Sequence, residues 1–220
     1  MAWYPLFVQM TGRRCLVVGG GAVARRKAES LLEAGAGVVA VSPEFSKAFD
    51  DLAWRHRECL LLERQAYATR DLASFALVVA ATDSDAVNAQ VADDAKRAGV
   101  WVNVVDTPDL CTVQAAAVVR RGPLQVAIHS GGEYPALSSV LREELEHYFD
   151  PWFEIYLGAL ARAREWLREQ PLNGTIRRAI LRELADPALR HQCRDLAQEE
   201  VFERLVEEAR RRMLDVGGEQ

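Results

Sequence analysis

Short valine-rich apolar runs alternate, over the first half of the chain, with stretches whose apolar residues recur every three or four positions. The runs at 14–18, 37–42, 59–63, 74–81 and 100–105 carry no helical stripe and read as strands of a buried parallel sheet. Between them, Ala28, Leu31, Leu32 and Ala34 mark a helix ended by Gly35. Residues 45–54 are compatible with a second helix, and 66–72 with a connection. A third helix is predicted from Asp85 to Arg97, with Val87, Val91 and Ala95 on one face. Strands that alternate with helices imply right-handed crossovers, and ligands in such sheets bind beyond the carboxyl ends of the strands. Gly19, Ser42, Thr82 and Asp106 all fall on that rim.

The pattern then changes. Residues 115–120 and 124–130 are short apolar strands joined at Arg121-Gly122-Pro123, which predicts an antiparallel hairpin. The loop His129-Ser130-Gly131-Gly132-Glu133-Tyr134-Pro135 leads into a predicted helix over 136–149. Beyond Pro151 nothing reads as a strand. Residues 152–169, 172–185 and 187–214 are predicted as three helices, punctuated by Pro171, Asn173-Gly174 and Asp186-Pro187.

Three glycines stand where the first strand meets the first helix. The pattern Gly19-x-Gly21-x-x-Ala24 at a strand-to-helix junction is the context that separates a dinucleotide-binding fingerprint from a chance match. Gly19 allows the tight turn, Gly21 lets the backbone approach a diphosphate, and small Ala24 lets helix and strand pack closely. The N–H groups of the first helical turn, at Ala22 and Val23, then face the phosphates. A glycine-rich turn that merely packs is the alternative. At the tip of the second strand stand Ser42, Pro43 and Glu44, so the acid that binds ribose hydroxyls in such folds is displaced. No arginine sits at that tip to hold a 2′-phosphate, which leans the choice toward NAD. The fold class expected is α/β: a Rossmann-type parallel sheet domain, then a small α+β segment, then an all-α C-terminal domain.

Composition narrows the function classes. With 220 residues, half of them apolar, the chain can bury a substantial core. No apolar stretch has the length to cross a bilayer and the first residues lack a leader pattern, so a cytoplasmic protein without a membrane partner is expected. Cys15, Cys59, Cys111 and Cys193 are scattered without paired spacing, and His56, His147 and His191 are isolated, so no metal site is expected. A net charge of -5 argues against nucleic acid as a partner, although the Arg25-Arg26-Lys27 cluster can receive an anionic ligand.

Four segments in order resemble the precorrin-2 dehydrogenase family, which includes the dehydrogenase and ferrochelatase module of sirohaem synthase. They are Gly19-Gly20-Gly21-x-Val23-Ala24-x-Arg26-Lys27, Ala80-Ala81-Thr82-Asp83-x-x-x-Val87-Asn88, Asn103-Val104-Val105-Asp106-x-Pro108 and Ser130-Gly131-Gly132-x-x-Pro135-x-Leu137. Together they cover roughly the first two thirds of the chain, which is far more specific than one glycine motif. The resemblance implies a Rossmann domain over 1–112, a dimerisation segment over 113–149 and a helical domain over 150–220, in a homodimer. It implies oxidation of precorrin-2 to sirohydrochlorin with hydride passed to NAD, and in some members insertion of ferrous iron. Segment 111–116 lacks the aromatic residue and proline associated with this position in several relatives.

Asp106 is the catalytic residue that the resemblance implies. A carboxylate at a strand rim beside a nicotinamide can be partly desolvated and act as a base; alternatively it caps the turn at Thr107-Pro108. The cofactor set is Gly19, Gly21, Ala22, Val23, Ser42, Pro43, Glu44, Thr82, Asp83 and Asn103. Of these, Thr82 and Asp83 line the cleft or cap the helix near Asp85, and Asn103 positions a ligand or closes a strand-end hydrogen bond. Ser130, Gly131 and Gly132 offer donors for a carboxylate-rich tetrapyrrole, or simply turn the chain into the next helix. His129 reaches the macrocycle or is structural. In the tail, Arg162, Arg164, Arg168, Arg177 and Arg178 form a carboxylate-binding face or a solvated helix surface. Another NAD-dependent oxidoreductase, or a dinucleotide-sensing module without chemistry, remains compatible with the same scaffold.

Overall fold

Five parallel strands, in the order β3-β2-β1-β4-β5, make the first sheet. They are β1 (Arg14–Val18), β2 (Gly37–Val41), β3 (Leu60–Glu63), β4 (Leu77–Ala80) and β5 (Trp101–Val104). The computed structural model describes residues 3–132 and 134–217, in two compact units, Met1–Ala115 and Ala116–Gln220. In the first unit α1 (Ala22–Glu33), α2 (Lys47–Arg55) and α3 (Asp85–Arg97) cover the sheet. Because parallel strands are buried on both faces, successive side chains feed two cores. Leu16, Val18, Val39, Val41, Val78, Val102 and Val104 pack with Val91, Ala92 and Ala95 of α3. Val17, Val38, Ala40 and Val79 pack with Ala24 and Ala28 of α1 and with Phe49 and Leu52 of α2. Gly35 ends the first helical segment in the left-handed region, φ 80°, its N–H donating to the Leu32 carbonyl.

Between β3 and β4 the chain runs without regular structure and is pinned by side chains. Tyr67 donates its hydroxyl to the buried Asp94 carboxylate of α3 at 2.8 Å, and Asp94 also pairs with Arg97. Gln90 donates to Thr69 at 2.9 Å, and Arg70 holds Glu63 at the end of β3 with bonds of 2.7 and 3.2 Å. Burial above all, with Asp94 beside it, raises the Tyr67 phenol above its ordinary range and keeps it a donor.

The second unit begins with a hairpin of β6 (Ala117–Arg121) and β7 (Leu124–Ile128), paired from Ala117↔Ile128 to Arg121↔Leu124. Gly122, φ 52°, supplies the positive φ that a two-residue turn of this kind requires at its first central position. Then come α4 (Pro135–Tyr148), α5 (Trp152–Glu169), α6 (Gly174–Leu184), α7 (Pro187–Gln192) and α8 (Gln198–Gly217). Tyr156, Ala159, Ala163 and Leu167 of α5 form one core with Ile180, Leu184, Leu189, Cys193, Val201, Leu205 and Ala209. The tail departs from its predicted single helix over 187–214, which is broken into α7 and α8. The cause is a cap: the Glu200 carboxylate accepts from the Ala197 N–H at 2.8 Å, and the Ala197 carbonyl takes the first bond of α8 from Val201.

Tyr67→Phe removes a bond to a buried carboxylate and leaves packing nearly intact. It should lower unfolding free energy by about 1.5 kcal/mol, read as a lower urea midpoint at unchanged slope.

Candidate active site

Sheet register decides which residues meet at the carboxyl rim. Val18 pairs with Val41 on one side and Ala80 on the other, and Ala80 pairs with Val104. The ladder continues one step further: the Gly19 N–H donates to Val41 at 2.9 Å, Ala81 to Val18 at 2.8 Å and Val105 to Ala80 at 2.9 Å. Gly19, Ser42, Thr82 and Asp106 therefore line one edge of the sheet.

The glycine loop is squeezed from two sides and open on a third. Gly19 takes φ 129°, and a Cβ there would lie 2.2 Å from the Ala81 carbonyl oxygen and 3.2 Å from Ala24 Cβ. At Gly20 a Cβ would lie 1.9 Å from the Glu44 carbonyl oxygen, whereas at Gly21 it would meet nothing within 4 Å. Gly21 is the N-cap of α1, with no side-chain cap and no acid in the first turn. The first helical bond runs from the Arg25 N–H to the Gly21 carbonyl at 3.0 Å, so the amides of Ala22 and Val23, both exposed residues, lie ahead of the helical ladder. A cradle of bare backbone, open space and a positive helix end fits a dinucleotide diphosphate.

Around that cradle the other predicted residues divide. Ser42 is buried and donates its hydroxyl to the Glu44 carbonyl at 2.6 Å, while Pro43 and Glu44 are exposed. Thr82 is clamped by Asn88: the Asn88 Oδ1 accepts from the Thr82 N–H at 3.2 Å and hydroxyl at 2.9 Å, and Nδ2 donates to the Thr82 carbonyl at 3.0 Å. The helix α3 is capped by Ser84, whose hydroxyl accepts from the Val87 N–H. Asp83 is exposed beside it. Asn103 donates to the Val113 carbonyl at 3.2 Å and so ties β5 to the chain that follows.

Asp106 is the one described non-glycine residue with positive φ, 58°. The left-handed conformation is uncommon away from glycine and marks a site held by its surroundings. Others close the turn. The Thr107 hydroxyl donates to Val105 at 3.4 Å, and Cys111 Sγ accepts from the Val104 N–H at 3.1 Å, with the Val104 and Thr107 carbonyls at 3.2 and 3.5 Å. The Asp106 carboxylate itself is exposed and makes no hydrogen bond or ion pair among the described residues. Half-buried Lys27 of α1 feels its charge. Burial, then Arg26, pushes the Lys27 ammonium below its ordinary pKa, against the opposing pull of Cys111 and Asp106.

In the second unit Ser130, Gly131 and Gly132 form a turn ahead of α4. The Ser130 hydroxyl donates to the Tyr134 carbonyl and accepts from Ser138, both at 2.8 Å, and the Gly131 N–H donates to His129 Nδ1 at 3.3 Å. The tail arginines have local partners. Arg162 makes a bidentate pair with Glu199 at 3.0 and 2.9 Å and Arg168 pairs with Glu165. Arg177 caps the end of α5 through the Leu167, Gln170 and Leu172 carbonyls, and Arg178 donates to Thr175. Arg164 remains exposed.

Asn88 ends the second of the four resembling segments with no part assigned to its side chain, and Lys27 ends the basic run that can receive an anionic ligand.

A family model described as putative NAD(P)-binding matches residues 6–117. The chain is 41% identical over 170 residues to a siroheme synthase of Ectopseudomonas mendocina (strain ymp), covering 77% of this chain and 35% of that protein. It is 44% identical over 161 residues to a siroheme synthase of Pseudomonas putida (strain W619), covering 73% and 33%. The chain thus spans about a third of the length of these relatives. A solved structure of SirC, a precorrin-2 dehydrogenase, superposes with a TM-score of 0.73 at 26% identity, covering 93% of this chain and all of that one. These similarities agree with the resemblance read from the four segments.

The loop sterics separate folding from ligand approach. Gly20→Ala should cost about 2 kcal/mol or more, because the Glu44 backbone must move. Gly21→Ala should stay within about 0.5 kcal/mol of the parent; paired thermal melts check both.

Proposed function

The chain belongs to the putative NAD(P)-binding family, and on that footing we propose that it oxidises precorrin-2 to sirohydrochlorin with NAD as hydride acceptor. The observation that carries the reading is the placement, on one sheet rim, of an uncapped helix N-terminus and an exposed carboxylate that makes no hydrogen bond or ion pair among the described residues. Ala22 and Val23 N–H groups hold the diphosphate, and the missing Cβ of Gly21 admits it. With the Ser42 hydroxyl tied to the turn, exposed Glu44 is the acid at the β2 tip. It accepts from ribose hydroxyls and disfavours a 2′-phosphate, which makes NAD the preferred dinucleotide. Pro43 shapes that tip, and Thr82, Asp83 and Asn103 border the cofactor where β4 and β5 end.

The bound nicotinamide supplies the hydride acceptor. Loss of hydride from a saturated ring carbon must be matched by loss of a proton from the macrocycle, and Asp106 is the base that takes it. In the second unit, Ser130 and the Gly131-Gly132 turn are the proposed contacts for substrate carboxylates. Ferrous iron is a second substrate in this reading, with Asp106 accepting the pyrrole protons. Among the described residues no helix is long and apolar enough to cross a membrane, and we place the enzyme in the cytoplasm.

The proposed assembly is a homodimer through residues 113–149, with 1–112 as the cofactor domain and 150–220 as the helical domain. Its support is a stripe on α4: Leu137 is 49% exposed, Val140 50% and Tyr148 57%, at spacing that shares one helical face.

Purified protein given precorrin-2 and NAD under anaerobic conditions should release NADH and sirohydrochlorin together, and absence of NADH sinks the dehydrogenase assignment. Asp106→Asn should lower turnover by about a hundredfold or more with NAD affinity retained, while Gly21→Ala weakens that affinity. Leu137→Glu combined with Val140→Glu should sediment as a monomer where the parent sediments as a dimer.

A further inference from the structure

The tip of β2 carries no arginine of its own, but the sheet brings one beside it. Val41 pairs with Glu63, and one step further the Ser42 N–H donates to the Glu63 carbonyl at 3.1 Å, so Arg64 leaves β3 alongside that tip. The Arg64 guanidinium lies over the ring of Phe45, 5.4 Å from its centroid, and donates to the Asp50 carboxylate of α2. Phe45 directly follows Glu44 and is held in place. Its ring packs edge-on against Phe49, with centroids 5.0 Å apart. The loop around it is tied to the glycine loop, since the Ser46 N–H donates to the Gly20 carbonyl at 3.0 Å and the Ser42 hydroxyl to the Glu44 carbonyl. Neighbouring Glu63 is engaged by Arg70 and Gln65, and Asp50 is the acid that holds Arg64. With side chains 53% and 43% exposed, the Arg64–Asp50 pair contributes little to stability.

We propose that Asp50 and Arg64 are specificity-determining residues for the dinucleotide: Asp50 occupies the Arg64 guanidinium and so withholds from the β2 tip the cation that a 2′-phosphate needs. The inference deepens the proposed NAD site and rests on it, with Glu44 as the acid toward the ribose. A 2′-phosphate adds negative charge beside Glu44. An arginine fork answers such charge with two parallel N–H bonds, the means by which dinucleotide folds accommodate NADP. Here a carboxylate already fills the fork, so the phosphate has to displace Asp50 and then sit near two acids. A ribose with free hydroxyls asks nothing of Arg64. NAD is thus selected twice, by the acid that meets the hydroxyls and by the acid that keeps the arginine engaged. With both acids neutralised, Arg64 remains stacked on Phe45 beside the ribose, its fork open to phosphate.

The test is fluorescence titration of NADH and NADPH against the full-length protein in the parent, Asp50→Asn, Glu44→Gln and the two combined, and in each variant with Arg64→Met added. The parent should bind NADH at least about tenfold tighter than NADPH. Asp50→Asn should tighten NADPH by about threefold and the combined variant by about tenfold or more, and Arg64→Met should cancel both gains. A gain that survives Arg64→Met overturns the inference and transfers the effect to lost negative charge alone, or to exposed Lys47 at the start of α2. Unchanged NADPH affinity in Asp50→Asn and in the combined variant overturns it as well. A parent that prefers NADPH overturns it and leaves the dinucleotide site standing. A parent that binds neither dinucleotide overturns the site and the inference together. If the expected pattern of affinities appears but precorrin-2 and NAD release no NADH, the reading of the reaction falls and the inference stands.

Discussion

Everything at the carboxyl rim depends on a steric constraint: the backbone of Gly19 and Gly20 lies so close to the carbonyls of Ala81 and Glu44 that no side chain fits between them. That closeness lets the ends of β1, β2 and β4 converge. It also seats α1, whose Ala24 and Ala28 pack into the core beside Val17 and Val79 while Ala22 and Val23 stay exposed. One glycine further on the crowding ends, and bare backbone faces open space. A turn selected only for packing has no need of that third glycine, since Gly21 takes φ -82°, which any residue can adopt.

Hydrogen bonding sharpens the contrast between scaffold and reactive group. Ser42, Thr82 and Asn103 each use their polar atoms within the protein, fixing the loops after β2, β4 and β5. Asp106 does not. Its turn is closed by Thr107 and Cys111, so the carboxylate is relieved of a structural task and stands on a backbone in the left-handed region. A rigid frame around a free acid is what proton transfer asks for, since the base must be held in place without being neutralised.

The helical unit shows the opposite allocation. Arg162 and Arg168 bind glutamates there and Arg177 caps a helix end, and burial pushes the Tyr156 phenol up to about 12, its hydroxyl donating to the Leu184 carbonyl. Charge there stabilises helices and their junctions. Tyr148 at the end of α4 accepts from Arg190 at 2.9 Å, so the exposed apolar side chains of Leu137 and Val140 are what the proposed dimer contact has to explain.

The amino-acid sequence by itself determined the alternation of strands and helices, because strands buried on both faces must be apolar throughout and amphipathic helices must repeat every 3.6 residues. Both ends of α3 and α5 were legible in that way, and the glycine motif marked the rim. Local pattern was silent about the break before α8, where the N-cap is an alanine and the capping carboxylate comes from Glu200 inside the helix. It was equally silent about the side chain of Asn88. Thr82, the partner of Asn88, lies six residues back across the turn between β4 and α3, and that clamp takes shape only when the helix folds back onto the end of its strand. Periodicity is a property of one segment, whereas a site is a property of several brought together, so tertiary structure alone decided which polar residues became scaffold and which carboxylate stayed free.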